Sequence, residues 1–500
     1  MDEIRPVGGL TRHADDKSRD EESVAVKVWL ITTILVGFGL TACTSESNEL
    51  LIENVVIVSA ERETASNAMN VLVRDGVIAE ISAEPIQADR SVMRIEGHGR
   101  FLTPGLMDSH HHVAFVPGMG AIGVAPARDH EALVDAYMAQ QPRSLLYYGV
   151  TQILDPAPLL AWRDFAANSP GPDLFRCGEI PNEEAGYPIN QRDDADMVSL
   201  YPYRITSTRT PEMVVERIAA DGAICVKIYL EDGFGAESEW PLYDAEILGR
   251  IRDAARAHEL PLLAHANAID MYQIALDADV DVLAHGLWNW QWPEGDPPVA
   301  DILQRVHEQG VGYMPTHRVM AGLGEHLLPA RMDAPEYADI VPSDLLDWYR
   351  AGGADWFADE LAADFPPDMP REEMAAIFGY GVGRVQRATA FLEQAGHPLL
   401  LASDCPGSPT SANQPGLCTR LEIESLAQAG VSPESVFRAG TINPARQFGL
   451  EARYGTVEVG KVANLLLLEA NPRLDIAAWD TIQTIILHGE PLERDDLKAR

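Results

Sequence analysis

Three consecutive histidines, His110, His111 and His112, close the stretch Phe101–Val113. The apolar run ahead of them reads as a short strand. Side chains alternate along a strand, so His110 and His112 are expected on one face and His111 on the other. Two imidazoles placed that way can hold one metal ion, because neutral imidazole is the commonest metal ligand. Pro104-Gly105 is expected to turn the chain into this strand. A bare His-x-His fits a surface loop as well. Ligand-type residues at other strand ends would favour a metal site.

Such residues follow. Lys227 lies inside the apolar run Ile224–Leu230, where a buried ammonium is costly. The chain has five lysines in all (Lys17, Lys27, Lys227, Lys461 and Lys498), which makes a mid-strand lysine notable. Period two puts Cys225, Lys227 and Tyr229 on one face. Two explanations stay open for Lys227. It pairs with a carboxylate, or its neutral amine takes up CO2 as a carbamate whose two oxygens can bridge two cations. His265 ends the run from Pro261, and His285 ends the run from Asp281. Either one alone is equally a hydrogen-bonded core histidine. Asp404 follows Leu399–Ser403, and a carboxylate there is either metal-bound, hydrogen-bonded by its neighbours or costly.

Strand-like runs alternating with helical stretches must position these groups. Their ends fall at His112, Asp155, near Gly178, and at Tyr229, His265, His285, Thr316 and Asp404. Eight such units predict an α/β protein built on a (β/α)8 TIM barrel over residues 101–450, a fold whose catalytic groups collect at the C-terminal strand ends. Residues 317–398 interrupt the spacing as a lid-like insertion with helical periodicity. Residues 50–100 and 451–495 read as strands and turns, and are expected to form a small composite β-sandwich domain from both ends of the chain.

Composition narrows the partners. The 46% apolar content is that of a globular chain, and a formal net charge of −38 argues against nucleic acid or anionic membrane surfaces. The five cysteines, Cys43, Cys177, Cys225, Cys405 and Cys418, form no CxxC pair, so free buried thiols are expected for most of them. A pairing of Cys405 with Cys418 stays open. Residues 1–27 are polar and acidic, and 28–42 carry no charge, as in the apolar part of a signal peptide. The sequence Leu40-Thr41-Ala42-Cys43 resembles a bacterial lipobox. Residues 1–43 are therefore expected to be a signal segment, with Cys43 as the lipidated first residue in the bacterial cell envelope and a lipid anchor as the sole membrane attachment.

Taken in chain order, His110-x-His112, Lys227, His265, His285 and Asp404 resemble the binuclear amidohydrolase superfamily, and its imidazolonepropionase-like and prolidase-like branch most closely. Pro104-Gly105-Leu106-Met107-Asp108-Ser109-His110, Gly149-Val150-Thr151 and Thr441-Ile442-Asn443-Pro444-Ala445 are similar to its phrases. Asn464 stands where the family usually has aspartate. The resemblance implies two divalent ions, usually zinc. His110, His112 and Asp404 would hold one, His265 and His285 the other, with carboxylated Lys227 bridging. It further implies hydrolysis of a C–N amide bond by a hydroxide shared between the ions, with Asp404 moving the proton.

Tyr229, His317 and Arg318 are expected substrate contacts, with Arg318, Arg331, Arg350 or Arg371 meeting the carboxylate of a small peptide or N-acyl amino acid. A lactone, ester or cyclic amide is the alternative substrate. A mononuclear deaminase is disfavoured, because Lys227 is present and Ala266–Asp270 holds no glutamate. A non-catalytic envelope-binding lipoprotein is the reading from another class. The oligomeric state stays open.

Overall fold

The computed structural model describes residues 49–159, 162–168, 170–181, 201–233, 240–289 and 299–500. The expected signal segment, with Cys43, lies outside the described residues. In chain order come β1 (Glu49–Ile57), β2 (Ala68–Arg74), β3 (Val77–Ser82), β4 (Met93–Glu96), β5 (Phe101–Pro104) and β6 (Leu106–Asp108). A short hairpin, β7 (Phe115–Val116) and β8 (Gly120–Ala121), leads to β9 (Val150–Asp155), β10 (Asp173–Glu179) and β11 (Cys225–Tyr229). Then follow β12 (Leu262–His265), β13 (Val282–Ala284), β14 (Gly312–Met314), β15 (Leu465–Leu468), β16 (Ile482–Leu487) and β17 (Glu490–Glu493).

Residues 49–104 and 465–493 meet in one eight-stranded sheet of order β17-β16-β15-β5-β1-β2-β3, with β4 beside β1. The turn between β2 and β3 has Asp75 and Gly76 both at positive φ, as a two-residue hairpin loop requires. A sandwich was expected, and a single sheet is found. One face buries Leu50, Ile52, Val71, Leu102, Leu465 and Ile486 together. The other, through Leu466, Leu468, Ile482 and Ile485, joins the core of the adjoining α/β unit, which serves as its second layer.

That unit is a parallel seven-stranded sheet of order β14-β13-β12-β11-β10-β9-β6. Cys177, Cys225, Leu263, Val282, Ala284 and Met314 face inward as one cluster. Val226, Ile228, Ala264 and Leu283 face outward into the core shared with the helices. Burial on both faces explains why these strands are continuously apolar. Residues 399–405 lie between the two edges without forming a regular strand. Leu400 N donates to Tyr313 O (3.0 Å) on one side, and Ser109 N donates to Leu401 O (2.8 Å) on the other.

The cysteines correct an expectation. Cys177 pairs with Cys225, and Cys405 with Cys418, as disulfides. Cys177 and Cys225 are direct cross-strand partners of β10 and β11, a juxtaposition created by strand pairing across 48 residues. Gly105 also has a different purpose from the turn assigned to it. A Cβ there would sit 1.8 Å from Thr151 Oγ1, so close packing of β6 against β9 requires glycine. Residues 317–398 are helical as expected, with His317–His326, Ser343–Arg350, Asp355–Ala363 and Arg371–Gln394 as the main helices. They carry a small core of their own around Leu327, Ala358 and Met374.

Candidate metal centre

The structure gathers the expected ligands at one end of the parallel sheet, each at most 9% exposed. Asp404 is their hub. Its Oδ1 lies 3.2 Å from His110 Nε2 and 3.0 Å from His112 Nε2, and its Oδ2 lies 3.3 Å from His285 Nδ1. Potential ligand atoms of His110, His285 and Asp404 all fall within 4.8 Å of one another. The rings of His265 and His285 are 4.4 Å apart, and those of His110 and His285 are 5.0 Å apart. Lys227 Nζ is 5.5 Å from the centre of the Tyr229 ring, on the same inward face.

One local expectation fails. β6 ends at Asp108, so His110 and His112 project from the loop beyond the strand instead of from its face. Asp108 causes this. Its Oδ1 accepts from His110 N (3.1 Å) and Ser403 N (3.0 Å), and its Oδ2 from Thr419 Oγ1 (2.6 Å). The carboxylate thus ties the histidine loop to the Asp404 segment, and burial raises it to about 6. Asp404 (φ 53°), His285 (φ 83°) and Thr316 (φ 48°) all adopt positive φ. Such conformations cost energy in residues other than glycine and concentrate at functional sites.

The electrostatics suit cations. Burial holds His110 and His285 well below the ordinary imidazole range and lowers His265 too, which leaves the neutral rings that ligate metals. Burial also opposes charge on His112, but Asp155 and Asp404 outweigh it and raise that ring to about 9. A position where two carboxylates stabilise a proton between them suits a divalent ion equally. His110 Nδ1 is buried without a hydrogen-bond partner, and His112 Nδ1 faces Asp155 Oδ1 at 3.4 Å. Burial lowers Lys227 to about 7, so its amine is substantially neutral and nucleophilic near neutral pH. By donor type, burial and convergence, the residues fit a metal centre.

The three residues expected to contact substrate have partners within the chain. The Tyr229 hydroxyl donates to Glu179 Oε2 at 2.8 Å. His317 is fully buried, with Nδ1 2.8 Å from Glu422 Oε1. Arg318 is buried and forked onto Glu325, at 2.8 and 2.5 Å, while its Nε donates to Asn413. Arg331 pairs with Glu325 and Glu336, Arg350 with Asp333 and Asp347, and Arg371 with Asp359. The expected carboxylate anchors are thus engaged by the chain's own acids.

Sequence reasoning missed two buried carboxylates. Glu179 is the last residue of β10 and the register partner of Lys227; burial raises it to about 7 against the Tyr229 bond. Period two from Cys177 would have pointed to it. Glu231, two residues past β11, bonds His265, a contact that no spacing announces.

A parallel α/β sheet with imidazoles and an aspartate converging at its strand ends, and a lysine on its inward face, is an arrangement able to hold metal ions. The amidohydrolase family profile matches residues 384–492. An imidazolonepropionase of Pseudomonas aeruginosa (strain UCBPP-PA14) is 28% identical over 187 residues, 35% of this chain and 45% of that protein. The match therefore spans less than half the length of that relative. The structure of a putative prolidase from Bifidobacterium longum superposes with a TM-score of 0.60 at 21% identity, over 89% of this chain and 94% of that one. An Aspergillus niger ochratoxinase superposes at 0.62 and 18% identity, over 90% and 96%. The chain is thus similar to amidohydrolases in residues 384–492, and its fold is shared with solved structures that include a prolidase.

Proposed function

We propose that the protein hydrolyses C–N amide bonds, with a small peptide or N-acyl amino acid as substrate class. The observation that carries this is the convergence of His110, His112, His265, His285 and Lys227 around Asp404 in a chain similar to amidohydrolases. We read the parallel sheet and residues 399–405 as a closed (β/α)8 barrel, the mixed sheet as its composite β domain, and 317–398 as a lid. His110, His112 and Asp404 would hold one divalent ion, and His265 and His285 a second, with carboxylated Lys227 between them; zinc suits these donors. Ions bound there supply Lewis acidity toward a carbonyl oxygen and acidify water.

The chain's own groups do the rest. Neutral Lys227 Nζ forms an N–C bond to CO2 and releases one proton to solvent, which leaves a carbamate anion in place of the amine. Asp404, within 3.3 Å of three imidazoles, is placed to accept the proton of the attacking water and return it to the leaving amine. Glu179 orients the Tyr229 hydroxyl beside Lys227. Because Arg318, Arg331, Arg350 and Arg371 are committed to carboxylates, a neutral ester or lactone is the second reading of the substrate.

Metal analysis is the first test. Protein starting after residue 43 is expected to carry about two divalent ions per chain, lose amide hydrolysis on chelation and recover it with zinc. Full activity after exhaustive metal removal would overturn the proposal. Hydrolysis of lactones or esters with no amide cleaved would select the second reading.

A further inference from the structure

We propose that Glu231 is a positioning residue of this centre, fixing the tautomer of His265 so that Nδ1 is the nitrogen offered to a cation. The inference rests on the metal-centre reading and adds a residue to it. Glu231 lies beyond the C-terminal end of β11, and His265 ends the neighbouring β12. The Glu231 side chain is 1% exposed. Its Oε2 meets His265 Nε2 at 3.0 Å and accepts from Asn267 Nδ2 at 2.6 Å, while its Oε1 accepts from Gly233 N at 3.1 Å. Two donors and one ring nitrogen converge on this carboxylate. An ionised carboxylate has only acceptors to offer, so His265 Nε2 must carry a hydrogen, and the lone pair of the neutral ring falls on Nδ1.

His265 differs in this from the first-strand histidines. Those present Nε2 to Asp404, whereas His265 turns Nε2 away to Glu231. Carboxylates that hold the far nitrogen of a ligand histidine fix its ring and raise its basicity, and losing one typically weakens metal binding ~10–100-fold. An amide cannot replace the carboxylate here. With its oxygen toward His265 and Asn267, the Glu231→Gln amide would face the Gly233 N–H; turned over, it would face Asn267 and force His265 to accept. Either orientation sets a donor against a donor.

The test compares wild-type protein with the isosteric Glu231→Gln by long-range 1H–15N spectra of the metal-stripped chain, His265 being assigned with His265→Gln. Wild type should show His265 protonated at Nε2. Glu231→Gln should populate the Nδ1-protonated form and bind the second zinc ion ~10–100-fold more weakly, with the first ion unaffected. A role in stability alone would lower Tm while leaving tautomer and affinity unchanged. That result, or an Nδ1-protonated His265 in wild type, would overturn the proposal. The wild-type spectrum decides even if the variant does not fold. A wild type that takes up a single ion would instead sink the two-ion reading, and the tautomer would still judge Glu231.

Discussion

Asp404 shows how one residue depends on its neighbours. Its carboxylate reaches three histidines from a left-handed backbone at φ 53°. The loop then doubles back, with Gly407 N donating to Asp404 O at 2.9 Å. A Cβ at residue 407 would lie 2.5 Å from Asp404 Oδ1, so only glycine fits beside the carboxylate. Asp404→Asn should leave the fold intact and lower hydrolysis by ~10²-fold or more, the size of a lost general base; steady-state kinetics beside a thermal melt will check this. Arg318 yields the opposite expectation. Since its guanidinium is forked onto Glu325, Arg318→Met should cost stability, roughly 1.5–3 kcal/mol for charge-assisted bonds. Any loss in kcat/KM should be equal for a free acid and its amide. A loss confined to the free acid would restore Arg318 as a carboxylate anchor.

Among the elements, the 317–398 helices are docked by polar bonds as well as by their apolar core. His326, at the end of the first helix, accepts from Ser411 N at Nδ1 (3.2 Å) and contacts Ala354 O through Nε2 (3.2 Å). The Ser411 bond needs the neutral ring, the Ala354 carbonyl favours the charged one, and burial outweighs it and lowers the pKa to about 4. The unfolded chain, with an imidazole near ~6.5, binds a proton that the folded state refuses. Stability from this group is therefore present above about 6.5 and is lost as pH falls toward 4, by up to about 3 kcal/mol. The difference between wild type and His326→Gln in urea unfolding should shrink through that window. A pH-independent difference would remove His326 from the account. The loop after Asp404 is braced differently, by the Cys405–Cys418 disulfide and by Thr419 on Asp108.

For the whole molecule, location is a proposal supported by chemistry. Disulfides persist in oxidising compartments, and two of them in this chain support an exported protein. No helix among the described residues is long and apolar enough to cross a membrane. With Cys43 as a lipid anchor, the full chain should fractionate with membranes and Cys43→Ser should move to the soluble fraction. Identical partitioning of the two would dismiss the anchor.

The sequence by itself determined the repeating strand–helix order, the inward face of β11 and the strand ends at Asp155, Tyr229 and His265. These follow from local periodicity and from the cost of leaving a lysine or aspartate in an apolar run. It also marked Asn464 as unusual without explaining it. The tertiary structure supplies the reason: the amide donates to Asp173 (2.8 Å) and accepts from His488 N (2.8 Å), whereas an aspartate would repel Asp173. Partners chosen across long separations were decided only in three dimensions. Cys177 met Cys225 through strand register, and Glu231 met His265 because adjacent parallel strands end side by side. The arginines read as substrate anchors were claimed by nearby acids, since in a chain of net charge −38 a cation seldom lacks a carboxylate within reach.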